Sequence, residues 1–219
     1  MGARFKNSEA ELMNQSDVAL ENVVQQPAIA AAMAELGYDN ATIEEGRVFN
    51  SEAHSAFKLN KVEDDETRAS YQQFDEAKTA LKELYGLHRK KAKVIFRDEP
   101  TVLTQLLIAN ALPNAYSNWL QGVEKFYDVL NTNENLQGRV ARLKVTLEEL
   151  ANGQTLIVEL KSRRAAYLQE VGESESATKA KDEALGRLDK WMSEFYAVAR
   201  IALEDQPQLL ESLGKSVKS

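Results

Sequence analysis

Cysteine is absent from the 219 residues. That excludes disulfides, thiol nucleophiles and thiolate metal sites, and it fits a reducing compartment. Only 2 histidines occur, His54 and His88. The residues three before them are Ser51 and Tyr85, so neither belongs to the Glu-x-x-His element of a carboxylate-bridged metal bundle. Proline occurs 4 times and glycine 10 times, which leaves long stretches without a helix breaker. No apolar run approaches the ~20 residues a membrane-spanning helix needs. The opening Met1–Lys6 is polar and has no apolar core of the kind a secretory signal carries. Glycine-rich phosphate loops and nucleophile elbows are missing too. The expectation is a soluble cytoplasmic chain without a cofactor or bound metal.

Charge of one sign is also short. The net charge is −7, against the basic footprint of a duplex-binding protein. Residues 1–107 hold 13 Lys+Arg against 18 Asp+Glu, and the remainder holds 14 against 16. Nucleic acid is therefore a disfavoured partner.

What is present is a repeat. Asp75-Glu76-Ala77 returns as Asp182-Glu183-Ala184, and Pro100 returns as Pro207, each 107 residues later. Leu81, Ala92, Leu103 and Leu106 fall on Leu188, Ala199, Leu210 and Leu213 in the same register, and Gly46 falls on Gly153. Self-similarity at a fixed period describes architecture. It predicts one helical domain over 1–219 made of two copies, about 8–110 and 115–217.

Within a copy, apolar residues recur at helical spacing and never alternate as a strand requires. The first copy reads as a lead-in helix over 8–24, a short helix from Pro27 to Leu36, a break at Gly37-Tyr38-Asp39, and a long helix capped by Asp39. The aligned Thr146-Leu147-Glu148-Glu149 spells a capping box. Lys61–Thr67 and Glu170–Ser176 are acidic and polar. They read as short connectors that fold each long segment into a helical hairpin, with Thr67 or Ser174 capping the second arm. Asp98 and Asp205 end the long segments, and Pro100 and Pro207 open short terminal helices. Two hairpins facing each other predict an all-α antiparallel bundle, a long four-helix core with pseudo-two-fold symmetry and short flanking helices.

Gly46 and Gly153 lie on the inward face of their helices. Glycine there costs roughly 1 kcal/mol relative to alanine, so both are expected where another helix backbone comes close. His88 is expected at the core edge in an aromatic slot, and His54 at the surface. The recurring carboxylates Glu52/Glu159, Glu63/Glu170, Glu66/Glu173, Asp75/Asp182 and Asp98/Asp205 read as outward faces and helix ends, with Glu63 and Glu66 in a connector. A divalent-ion site in the Lys61–Thr67 connector is the alternative for Glu63.

His88–Arg97 holds five Lys/Arg and no acid, where the dipole at a helix C-terminus favours positive charge. Arg89, Lys90, Lys93 and Arg97 share a face that could grip an anionic lipid, a nucleic acid or an acidic partner. The aromatics Trp119, Phe126, Tyr127, Trp191, Phe195 and Tyr196 read as core, with a ligand pocket between helices as the alternative. No catalytic constellation emerges. The leading reading is a non-enzymatic helical scaffold that binds protein or assembles with itself. The alternatives are a small-ligand or metal-binding bundle and an anionic-surface binder.

Overall fold

The computed structural model describes residues 8–215. Among them there is no strand, and eight helices follow in order. They are α1 (Glu9–Gln25), α2 (Pro27–Glu35), α3 (Asn40–Ile95), α4 (Pro100–Gln105), α5 (Tyr116–Thr132), α6 (Glu134–Ala141), α7 (Leu147–Ala202) and α8 (Leu209–Ser212). The fold is an all-α bundle. The polar tail Gly214–Ser219 reads as frayed in the sequence; its residues 216–219 lie outside the described residues.

The 107-residue period is visible in the helix ends. Glu9 and Gln25 bound α1, and Tyr116 and Thr132, each 107 later, bound α5; Asn40 and Ile95 map onto Leu147 and Ala202 in the same way. The turns repeat as well. Gly37 (φ 87°) and its counterpart Lys144 (φ 58°) both take the left-handed conformation, as do Leu107 (φ 53°) and its counterpart Gly214 (φ 80°). In each pair one copy uses glycine, which adopts this conformation freely, and the other forces a side chain into it.

Caps form where expected. The Asp39 carboxylate accepts from the N–H groups of Ala41 (3.1 Å) and Thr42 (3.0 Å). The Thr146 hydroxyl oxygen accepts from the Glu149 N–H at 3.3 Å, which is half of a capping box. Asp98 is not the cap of the Pro-led helix: Glu99 holds that position, and Asp98 pairs with Arg97 at 3.0 Å.

The acidic connectors are not turns. Residues 61–67 and 170–176 are helical throughout, and α3 and α7 each run 56 residues without interruption. Neither long segment contains proline; Pro27, Pro100, Pro113 and Pro207 all lie outside them. Like charges one turn apart cost only about 0.2–0.5 kcal/mol per pair, much less than breaking a helix that already packs along its length. Thr67 and Ser174 therefore sit inside helices rather than at caps. The Thr67 hydroxyl donates to the Glu170 carbonyl at 3.2 Å, and the Ser174 hydroxyl donates to Asp64 Oδ1 at 3.0 Å.

The chain forms two compact units, and they cut across the repeats. Of the described residues, the first holds 8–65 and 172–215, and the second holds 66–171. The first unit thus combines α1, α2 and the opening part of α3 with the closing part of α7 and α8. Its core includes Leu20, Ile29, Met33, Leu188 and Phe195. Glu52 meets Arg187 and Asn60 meets Thr178, so the two long helices run antiparallel there. The second unit combines the closing part of α3, α4, α5 and α6 with the opening part of α7. Its core includes Leu81, Tyr85, Phe126, Tyr127 and Leu150. Tyr71 meets Tyr167 and His88 meets Glu149, again antiparallel. Each unit is completed by a segment of the other repeat.

Candidate functional site

Both glycines face the interior, and the close neighbour is an aromatic ring rather than a helix backbone. A Cβ on Gly46 would overlap ring carbons of Trp191, and a Cβ on Gly153 would overlap ring carbons of Tyr127. The rings come from different helices, α7 for Gly46 and α5 for Gly153. Each glycine is thus the floor of a slot for an aromatic side chain.

The Tyr127 ring leads to a buried polar chain in the second unit. His88 is 1% exposed. Its Nδ1 lies 3.0 Å from the Tyr127 hydroxyl, and its Nε2 lies 3.2 Å from Glu149 Oε2. A carboxylate only accepts, so the ring proton sits on Nε2 and Nδ1 accepts from the tyrosine. Burial pushes the His88 pKa down; the Glu149 carboxylate opposes that, and Lys91 adds to it. Burial, with smaller contributions from Tyr85 and Glu149, pushes Tyr127 well above the usual phenol range. The Glu149 carboxylate, which a full capping box would turn back to the helix start, is engaged by His88.

Hydroxyl, imidazole and carboxylate in a row resemble the chain that activates a nucleophile. Here the tyrosine exposes none of its surface, and its ring is seated on Gly153. The chain satisfies buried polar groups and fixes the packing of α3, α5 and α7. His88 lies deeper than the core-edge place expected of it. His54 is exposed, with Nε2 3.1 Å from Asp17 Oδ1.

The basic face disperses. One Arg89 guanidinium nitrogen donates to the carbonyls of Ile108 and Asn110, so this side chain holds the α4–α5 linker against α3. Arg97 pairs with Asp98. Of the four expected anion-binding residues, Lys90 and Lys93 are left without an ion pair among the described residues. Four of the recurring carboxylates are also committed: Asp98 to Arg97, Glu52 to Arg187 at 2.8 Å, Glu159 to Arg163 at 3.7 Å and Asp182 to Lys181 at 3.9 Å.

The linker that Arg89 holds forms one wall of a cavity of about 330 Å³ in the second unit. Leu112, Pro113 and Asn114 line that wall, Lys78 and Lys82 of α3 line another, and Tyr116 and Trp119 of α5 complete it. The two lysines are one helical turn apart, so they share a face. Neither makes an ion pair among the described residues. The aromatic side is built in depth: Phe74 meets Tyr116 edge-on at 5.9 Å and stacks parallel to Tyr167 at 6.0 Å. The Arg164 guanidinium lies 4.4 Å from the centre of the Tyr116 ring, a cation–π contact. Trp119 is 7% exposed, and its indole N–H has no acceptor among the described residues. An unpaired buried donor of this kind costs about 1–3 kcal/mol.

Of these residues Trp119 stands out in the sequence, as an aromatic at helical spacing. Lys78 and Lys82 do not, because the linker that turns them into a cavity wall has no periodic signature. Their only signal is a lysine pair spaced by one turn on a helix otherwise dense with acids. No protein-family model, curated protein or solved structure matches this chain.

Proposed function

We propose that the chain is a non-enzymatic helical scaffold that associates with protein, in the first instance with a second copy of itself. The observation that carries this reading is a set of water-facing apolar side chains kept in both copies. Val94 and its counterpart Ile201 are 60% and 64% exposed, and Leu36 and its counterpart Leu143 also face solvent. Scattered surface apolars need no explanation. These recur at matched places while other exposed apolar positions diverge, Leu87 against Glu194 and Val158 against Ser51. Contact faces kept in duplicate suit a scaffold that engages more than one partner.

Sedimentation velocity over a wide concentration range tests the proposal. Native protein is expected to show a species larger than the monomer that dissociates on dilution. Val94→Asp combined with Ile201→Asp is expected to leave only monomer, with unchanged helical circular dichroism. Each single substitution is expected to weaken association, and less than the pair does. A native protein that stays monomeric at every concentration overturns the proposal, and so does an unaffected double variant.

A further inference from the structure

We infer that the cavity between the α4–α5 linker, α3 and α5 binds a small organic anion with a flat apolar body, of the aromatic carboxylate class. Each part of that description comes from a wall. Lys78 and Lys82 face the cavity one turn apart and are free of ion pairs among the described residues, so they can hold a carboxylate between them. Tyr116, Trp119, Leu112 and Pro113 offer ring faces and aliphatic surface, which favours a planar hydrocarbon body over a sugar. The indole N–H of Trp119 has no acceptor among the described residues and is itself sealed from the cavity, so Trp119 contributes apolar surface rather than a donor. At about 330 Å³ the volume is at the small end of ligand pockets, which argues for a compact ligand rather than a dinucleotide.

The surroundings reinforce the charge argument. Arg164 stacks on the Tyr116 ring, and the nearby Lys161 is neutralised by Glu124. Arg89, tied to the linker carbonyls, keeps the wall in place. The site belongs to one unit only. In the other repeat the positions of Lys78, Lys82 and Trp119 carry Leu185, Asp189 and Leu12, so the two cations and the indole wall are lost together.

Naphthalene-2-carboxylate is a suitable probe, titrated calorimetrically into the full chain, with naphthalene-2-carboxamide as its uncharged twin. The expected result is saturable binding at one site per chain, weakened by added salt. Lys78→Gln combined with Lys82→Gln should lower the affinity by about tenfold or more, and the amide should bind the native protein similarly poorly. Lys82 is exposed and Lys78 half-buried, and glutamine keeps most of the aliphatic stem, so helical circular dichroism should stay unchanged in that variant. Lack of saturable binding by the carboxylate overturns the inference. Equal affinity for acid and amide, or an unaffected double lysine variant, does so as well.

Discussion

The two units solve one packing problem with different side chains. In the first, the slot above Gly46 is filled by Trp191 from α7; in the second, the slot above Gly153 is filled by Tyr127 from α5. Around them Phe195, Leu20 and Thr42 stand where the other unit has His88, Tyr127 and Glu149. Trp191 stacks on Phe195 at 5.4 Å, and Tyr38 meets both edge-on. One unit is closed by an aromatic cluster and the other by a hydrogen-bonded chain. Farther along, an Asn60–Thr178 hydrogen bond of 3.0 Å occupies the place of the Tyr167–Tyr71 ring pair. The backbone plan is shared, and the chemistry that fills it is not. A fold with this plan needs the slot filled and polar groups paired, and it accepts either means.

The largest expected effect comes from emptying the slot that is fully sealed. Tyr127→Ala should cost about 4 kcal/mol, because it leaves a cavity and strips Nδ1 of His88 of its partner. Leu20→Ala, at the matched position, should cost about 3 kcal/mol. Urea unfolding of the two variants compares them, and a larger loss in Leu20→Ala would contradict the roles assigned here.

Next come the glycines. Gly153→Ala should destabilise by about 2 kcal/mol, since the Tyr127 ring has nowhere to go. At Gly46 the overlapping ring is the half-buried Trp191, which can swing toward solvent. The gain of about 1 kcal/mol in helix propensity then offsets much of the overlap, so Gly46→Ala should cost less. Equal losses in thermal unfolding would dissolve the distinction.

A smaller effect separates the units by pH. The folded-state pKa of His88 lies below its ordinary value of 6.5 because of burial. The unfolded chain therefore takes up the proton first. The stability tied to neutral His88 is present above about pH 6.5 and is lost as the pH falls through the folded value. His88→Phe, the residue of the other unit, should flatten this part of the pH–stability curve between pH 7 and 5. A slope unchanged by the substitution would show that the histidine does not set it.

The smallest effect is in the turns. Lys144 holds the left-handed conformation that Gly37 holds in the other copy. Lys144→Gly should raise stability by about 1 kcal/mol, whereas Gly37→Lys should lower it. Differential scanning calorimetry reads both signs.

Much of this was legible before any coordinates. The 107-residue offset fixes which helices correspond, and Asp39 and Thr146 announce the starts of α3 and α7. Gly46 and Gly153 were legible as close contacts, but the identity of the neighbour was not. A glycine records that space is short and says nothing about what takes it. Lys61–Thr67 and Glu170–Ser176 carry the polarity of a turn without being one. Polarity marks solvent exposure, and a helix with one wet face is polar too. Proline was the better guide, since none falls between Pro27 and Pro100 or between Pro113 and Pro207. The cavity beside Trp119 was illegible because the segment 106–115 takes its path from tertiary contacts such as those of Arg89, which no local pattern encodes.

The exchange of segments between repeats depends on α3 and α7 passing unbroken through their acidic stretches. Amide hydrogen exchange across 61–67 and 170–176 measures this directly. Protection comparable to that of the flanking helical turns is the predicted result. Exchange at the rate of an open loop in either stretch would mean that the chain turns there, and the assembly of each unit from both repeats would fall.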